Sequence, residues 1–357
     1  MFISRNSLPR ILMSIFVLLA LSSTSQAATE LKHWPEGVKK QLDQLIAKNA
    51  NKQNFAVFDM DNTSYRYDLE ESLLAYMEMK GVLTRDTLDP ALKLIPFKDS
   101  DEFKEGMVSY YYRMCEEDDL ICYPWVAQVF SGFTLRELKE NVDELMAYDK
   151  TLKVRYYSGD TVKETEINPP RVFRGMQELY NKLMENGIDV YVMTAASEEL
   201  VRMVASDPKY GYNVKPENVI GVTMLLKDKD SGKLNTSRIQ IHKGEYNQEK
   251  NLSLELTSYL MNPMTWYEGK MGTILGYIDQ WKKPVLVGGD TPISDGYMLL
   301  NGVDVSKGGA RVWVTRKESS MKQMKDWWTE SAKRQKELGL PVTADKNWLV
   351  VKPEEIQ

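Results

Sequence analysis

Four short apolar runs punctuate a chain that otherwise alternates amphipathic stretches with polar joints. Phe55–Phe58, Ile188–Met193, Pro284–Val287 and Ala310–Val314 read as buried strands. Apolar positions at helical spacing lie between them. Val38, Leu42, Leu45 and Ile46 mark a leading helix, and Leu69–Met79 a second one that stops at Gly81. Met176, Leu179, Tyr180 and Leu183 share one face of a helix over 172–186, stopped by Asn186-Gly187. Further helices are predicted over 198–205 and 265–282. From Leu83 to Asp149 the pattern is helical, with acidic joints, many aromatics and no strand alternation. Val219–Leu226 and Gly232–His242 flank a polar turn and predict a hairpin. A charged helix from Met321 leads into a short extended end. Strands this apolar, alternating with helices, imply an α/β fold: a parallel sheet with helices on both faces. The helical stretch is then an insertion. The chain divides into a core, 28–68 and 166–357, with a hairpin-containing insertion at about 207–264, and a helical cap, 69–165.

Composition adds limits. With 357 residues, 43% apolar and 27% charged, the chain can bury a sizeable core. Arg5 and Arg10, the apolar run Ile11–Leu21 and the small-x-small end Ser25-Gln26-Ala27 form a cleaved signal peptide, residues 1–27, too short to span a membrane. This predicts a periplasmic or secreted protein without a stable membrane anchor. Cleavage removes two arginines and no acids, so the formal charge moves from −5 to −7. An acidic mature chain argues against nucleic acid as a partner. Cys115 and Cys122 favour a disulfide in an exported protein. On one continuous helix their Cα atoms would stand about 10 Å apart, so closure requires the acidic run Glu116–Asp119 to break the helix. Two cysteines and two histidines are too few for a zinc cluster.

Three of the strands end in polar, reactive types: Asp59 and Asp61, Thr194, and Asp290. Ligands in open α/β sheets sit outside the carboxyl ends of strands, so these residues should converge. Buried carboxylates are costly unless paired or bound to a cation. If the strand path continues past Phe58, alternation puts Asp59 and Asp61 on one side, where they could share Mg²⁺. The set suits phosphoryl transfer: one carboxylate attacks phosphorus, a second acts as general acid and base, and a hydroxyl and a lysine hold phosphate oxygens.

Asp59-Met-Asp61-Asn-Thr63, Thr194, a downstream lysine and Gly289-Asp290-Thr-Pro-Ile-Ser-Asp295 resemble the four motifs of the haloacid dehalogenase superfamily. The resemblance implies a Rossmann-like, doubly wound parallel sheet with a cap, and Mg²⁺ dependence, with Zn²⁺ or Cu²⁺ also accepted. It implies that Asp59 is the nucleophile and Asp61 the general acid and base. Thr63 belongs to the same motif. Asp59, Asp290 and the backbone carbonyl of Asp61, not its side chain, would meet the metal, with Asp295 in support. Lys270 is the expected lysine from its place at a helix start, and Lys243 is its rival. Three further stretches, Asp59–Leu74, Cys122–Phe133 and Gly339–Asp345, are similar to bacterial phosphorylcholine phosphatases. Those relatives are expected to carry serine where this chain has Thr194, which keeps the hydroxyl. The resemblance implies that Tyr110, Tyr111 and Tyr112 line the alkylammonium pocket, with Glu71 as an anionic complement. Successive helix residues point about 100° apart, so the three tyrosines cannot all face one core. A quaternary ammonium is recognised by aromatic faces. A broad-specificity acid phosphatase and a non-catalytic choline-binding protein are the competing readings. Oligomeric state is left open.

Overall fold

The computed structural model describes residues 28–357; the predicted signal peptide lies outside the described residues. In chain order, α1 (Glu36–Asn49) leads into β1 (Phe55–Phe58), followed by α2 (Leu69–Met79), α3 (Met107–Glu117), α4 (Asp119–Gln128) and α5 (Leu135–Ala147). A hairpin of β2 (Leu152–Ser158) and β3 (Thr161–Ile167) precedes α6 (Arg174–Glu185), β4 (Asp189–Ser197) and α7 (Glu198–Ala205). Then come β5 (Val219–Val222), β6 (Met224–Lys227), α8 (Ser237–Lys243), β7 (Glu255–Leu260) and α9 (Glu268–Thr273). β8 (Leu286–Gly289), α10 (Pro292–Asn301), β9 (Ala310–Val314), α11 (Glu318–Glu337) and β10 (Trp348–Val351) complete the chain.

Six of these strands form one parallel sheet in the order β10-β9-β8-β1-β4-β5. All four residues of β1 are buried, because both faces are covered. Period-two alternation divides them. Ala56 and Phe58 pack with Leu42, Leu45 and Tyr180 on one face. Phe55 and Val57 pack with Met298, Trp313 and Met324 on the other. The strand order turns in opposite directions on the two sides of β1, which opens a crevice at the carboxyl ends of β1, β4 and β8.

Three expectations need correction. Residues 69–165 are not wholly helical, since they include β2 and most of β3. Much of that hairpin is exposed on both faces, so it lacks the hydrophobic alternation that marks a half-buried strand. The hairpin expected over 219–242 is largely replaced. β5 joins the main sheet, β6 pairs with β7 and a two-residue strand, and 237–243 is helix. Thr236 caps that helix by accepting a hydrogen bond from Ile239 N, and Gly244 ends it at φ 68°. The helix expected over 265–282 is only α9 followed by a π turn, Ile274–Ile278. The expected extended end is present as β10, which pairs along β9. The two cysteines form the expected disulfide. Asp118 is extended (φ −168°), it caps α4 through Leu120 N, and the Cys115–Cys122 disulfide closes with Cα atoms 5.0 Å apart.

Candidate active site

β1 ends at Phe58, and Asp59 N still bonds to Gly288 O of β8 at 3.1 Å. The chain then turns on one carbonyl: Met60 O accepts from Thr63 N, Ser64 N and Tyr65 N. Asn62 takes a left-handed φ of 59°, which Asn tolerates better than most residues. This turn ends the extended path, so Asp61 does not stay beside Asp59 as alternation predicts. Its Oδ1 instead accepts from Tyr65 Oη at 2.7 Å and Leu69 N at 2.8 Å. Burial, then the nearby Asp68, raises the Asp61 carboxyl well above the usual range, which favours a protonated acid.

Three other carboxylates do converge. Asp59, Asp290 and Asp295, all buried, each offer an oxygen within 4.8 Å of the others. Asp295 is largely committed. Its Oδ1 takes Lys270 Nζ at 2.7 Å, and its Oδ2 accepts from the backbone of Asp290 and Thr291 at 3.0 Å each. Gly289 makes this possible, because a Cβ there would stand 2.6 Å from Asp295 Cβ. Asp295 therefore supports the cluster, while Asp59 and Asp290 face the crevice. Lys270, fully buried, also lies 2.8 Å from Asp59 Oδ1. Burial pushes its ammonium down, but Asp295 and Asp59 outweigh that and hold it above the ordinary lysine value. Burial and Asp295 push Asp59 up to about 7, against the downward pull of Lys270.

The donor set fits a divalent cation. Three buried carboxylates against one ammonium leave two formal negative charges without a buried partner. Asp290 Oδ1 accepts from Thr63 Oγ1 at 3.1 Å. Its Oδ2 has no aligned donor, although Arg316 Nε stands 2.6 Å away. An oxygen donor set of this kind suits Mg²⁺.

A cavity of about 400 Å³ opens above Asp59 and Asp290. Tyr111 and Tyr112 of α3 and Tyr123 of α4 line it, and so do Glu70 and Glu71 of α2 and Glu166 of β3. Tyr112 Oη donates to Glu71 Oε1 at 2.5 Å. Tyr110 does not line the cavity. It is fully buried against Phe97 and Trp125, and its hydroxyl exchanges hydrogen bonds with the backbone of Ile95. Thr194 is fully buried, and its hydroxyl accepts from Ala196 N at 3.1 Å, so Ala195 and Ala196 form that wall instead. Lys243 sits at the exposed end of α8, away from the cluster. Sequence reasoning missed Glu166 and Arg316. Glu166 lay in the unread hairpin. Arg316 was findable, since it stands just past the fourth apolar strand, where the same strand-end rule applies.

The chain is 61% identical over 345 residues to the phosphorylcholine phosphatase of Pseudomonas aeruginosa PAO1, covering 96% of this chain and 98% of that one. The chain belongs to the phosphorylcholine phosphatase family. It has a doubly wound α/β fold and is a phosphoric monoester hydrolase. A solved structure of a functionally uncharacterised protein from Anaerococcus prevotii has a similar fold, with a TM-score of 0.53 at 22% identity, over 85% of this chain and 91% of that one. No family model matches the chain.

Proposed function

We propose that this family member is an exported, divalent-cation-dependent phosphatase that hydrolyses phosphorylcholine through an aspartyl-phosphate on Asp59. One observation carries the reading. A single cavity has a nucleophilic carboxylate at its floor and tyrosines with carboxylates at its wall. A trimethylammonium group has no hydrogen to donate, so aromatic faces and nearby negative charge are what recognise it. The substrate's two ends thus match the two ends of the cavity.

In this reading Asp59 attacks phosphorus and the ester oxygen leaves, taking a proton from Asp61. Water then attacks phosphorus, Asp61 recovers a proton from it, and Asp59 is released with inorganic phosphate. Lys270 holds Asp59 in line through its contact with Oδ1. Asp290 and Asp59 would hold the cation, which neutralises charge on the carboxylates and the phosphate. Tyr111, Tyr112 and Glu71 would hold the ammonium end. Tyr65 and Leu69 N orient Asp61.

The test is phosphate release from phosphorylcholine and from p-nitrophenyl phosphate, with and without EDTA. The expected result is chelator-sensitive turnover that strongly prefers phosphorylcholine. Equal turnover of both esters would remove the choline assignment and leave a broad-specificity phosphatase. Choline binding without turnover in any divalent cation would leave only a binding protein.

A further inference from the structure

Arg316 is a cavity residue with no part in the steps above. It lies two residues beyond β9, so the sheet places it over the same crevice as Asp59 and Asp290. Seven acidic side chains line the cavity, and Arg316 is the only Lys or Arg among the described residues that does so. Its side chain is about one-third exposed, 33%, while its neighbour Asp290 is almost fully buried.

Its contact with Asp290 is close but poorly formed. Nε stands 2.6 Å from Oδ2, yet that oxygen has no aligned hydrogen-bond donor. A guanidinium carries five N–H donors in a fixed fork. None of the side-chain hydrogen bonds among the described residues uses those of Arg316. Arg202, by comparison, donates through Nε to Pro216 O and through Nη2 to Glu198 and Val219 O. Of the groups expected to grip phosphate, Lys270 is meanwhile occupied by Asp59 and Asp295, and Thr194 is fully buried behind Ala195 and Ala196, which line the cavity in its place. A spare planar fork facing an anionic reaction centre matches a tetrahedral oxyanion, which guanidinium binds in a bidentate manner.

We propose that Arg316 is the phosphate-recognising side chain of this site, which pairs with Asp290 and turns to phosphate oxygens when a divalent cation takes Asp290. The inference rests on the phosphatase reading, but not on choline as the leaving group. It has two consequences of opposite sign. Arg316 competes with the cation for Asp290, so its removal tightens cation binding. In the loaded protein it holds phosphate, so its removal weakens phosphate binding.

The experiment is calorimetry on Arg316→Gln and Arg316→Lys. It measures Mg²⁺ binding without phosphate, then inorganic phosphate binding at saturating Mg²⁺, with choline as a control. Arg316→Gln should weaken phosphate by about tenfold or more, the worth of a charge-assisted hydrogen bond. It should tighten Mg²⁺ by roughly two- to fivefold, the worth of a partly exposed ion pair. Choline binding should not weaken, and Arg316→Lys should recover part of the phosphate affinity. Unchanged phosphate affinity in Arg316→Gln would overturn the proposal. So would a joint loss of phosphate, choline and thermal stability, which would make Arg316 structural. If the wild-type protein bound phosphate through Arg316 but released none from phosphorylcholine, the substrate assignment would fail and this inference would stand.

Discussion

Lys270 shows how much one side chain does in this site. Its single charge bridges two carboxylates from different parts of the chain, Asp59 after β1 and Asp295 in α10. Removing one partner of a buried charge pair leaves the others uncompensated, a cost of about 3–5 kcal/mol. Lys270→Met should therefore lower unfolding stability by about that amount, which urea titration would read, besides abolishing turnover. The tyrosine triplet divides by direction. Tyr110→Phe should cost only about 1 kcal/mol of stability, through its lost bonds to Ile95, and leave the kinetics unchanged. Tyr111→Ala should raise KM for phosphorylcholine and leave p-nitrophenyl phosphate untouched. The consecutive tyrosines signalled that at least one would turn from the core. Which one turned could not be read, because helix phase is set by what α3 packs against.

At the scale of elements, α3 and α4 form the aromatic wall, with Tyr111 and Tyr112 on one helix and Tyr123 and Val126 on the other. The Cys115–Cys122 disulfide spans their joint, so it sets the separation of the two sides. Replacing both cysteines by serine should cost about 2–3 kcal/mol, since the closed loop is short. It should also raise KM for phosphorylcholine more than for p-nitrophenyl phosphate. Equal changes in the two values of KM would mean that the disulfide serves stability alone. The helix break that permits this bridge was legible in the acidic run. The hairpin beside the cap was not, because its exposed faces carry no alternation. Nor was the helix 237–243, where a Thr236 cap outweighs a strand-like apolar pattern.

For the whole molecule, the cap is fastened to the core insertion as well as to the sheet. Gly132 N, Leu135 N and Arg136 N donate to carbonyls of Leu256, Leu254 and Leu252, each at 2.9 Å. The cavity between these parts is where buried charge affects overall stability. With Asp59 at about 7, the cation-free folded state keeps a proton that the unfolded chain releases near 3.8. The folded state binds more protons across that window, so stability falls as pH rises through it and levels off above about 7. The melting temperature in EDTA should therefore drop between pH 5 and 8, and saturating Mg²⁺ should abolish the drop. A flat profile in EDTA would show that Lys270 already keeps Asp59 ionised. The sequence by itself determined the strands, the doubly covered sheet and the convergence of Asp59 with Asp290, because burial pattern and strand-end position are local properties of the chain. It also carried the family, through motifs in a defined order. Only the tertiary structure decided that Asp61 turns away from the cluster, that Asp295 is spent on Lys270 and backbone amides, that Tyr110 is core, and that Arg316 lines the cavity beside Asp290. Each of those depends on what a side chain meets in the folded chain: Asp295 meets Lys270, Tyr110 meets Ile95 and Arg316 meets Asp290, each from another segment, and one carbonyl sets the turn that redirects Asp61.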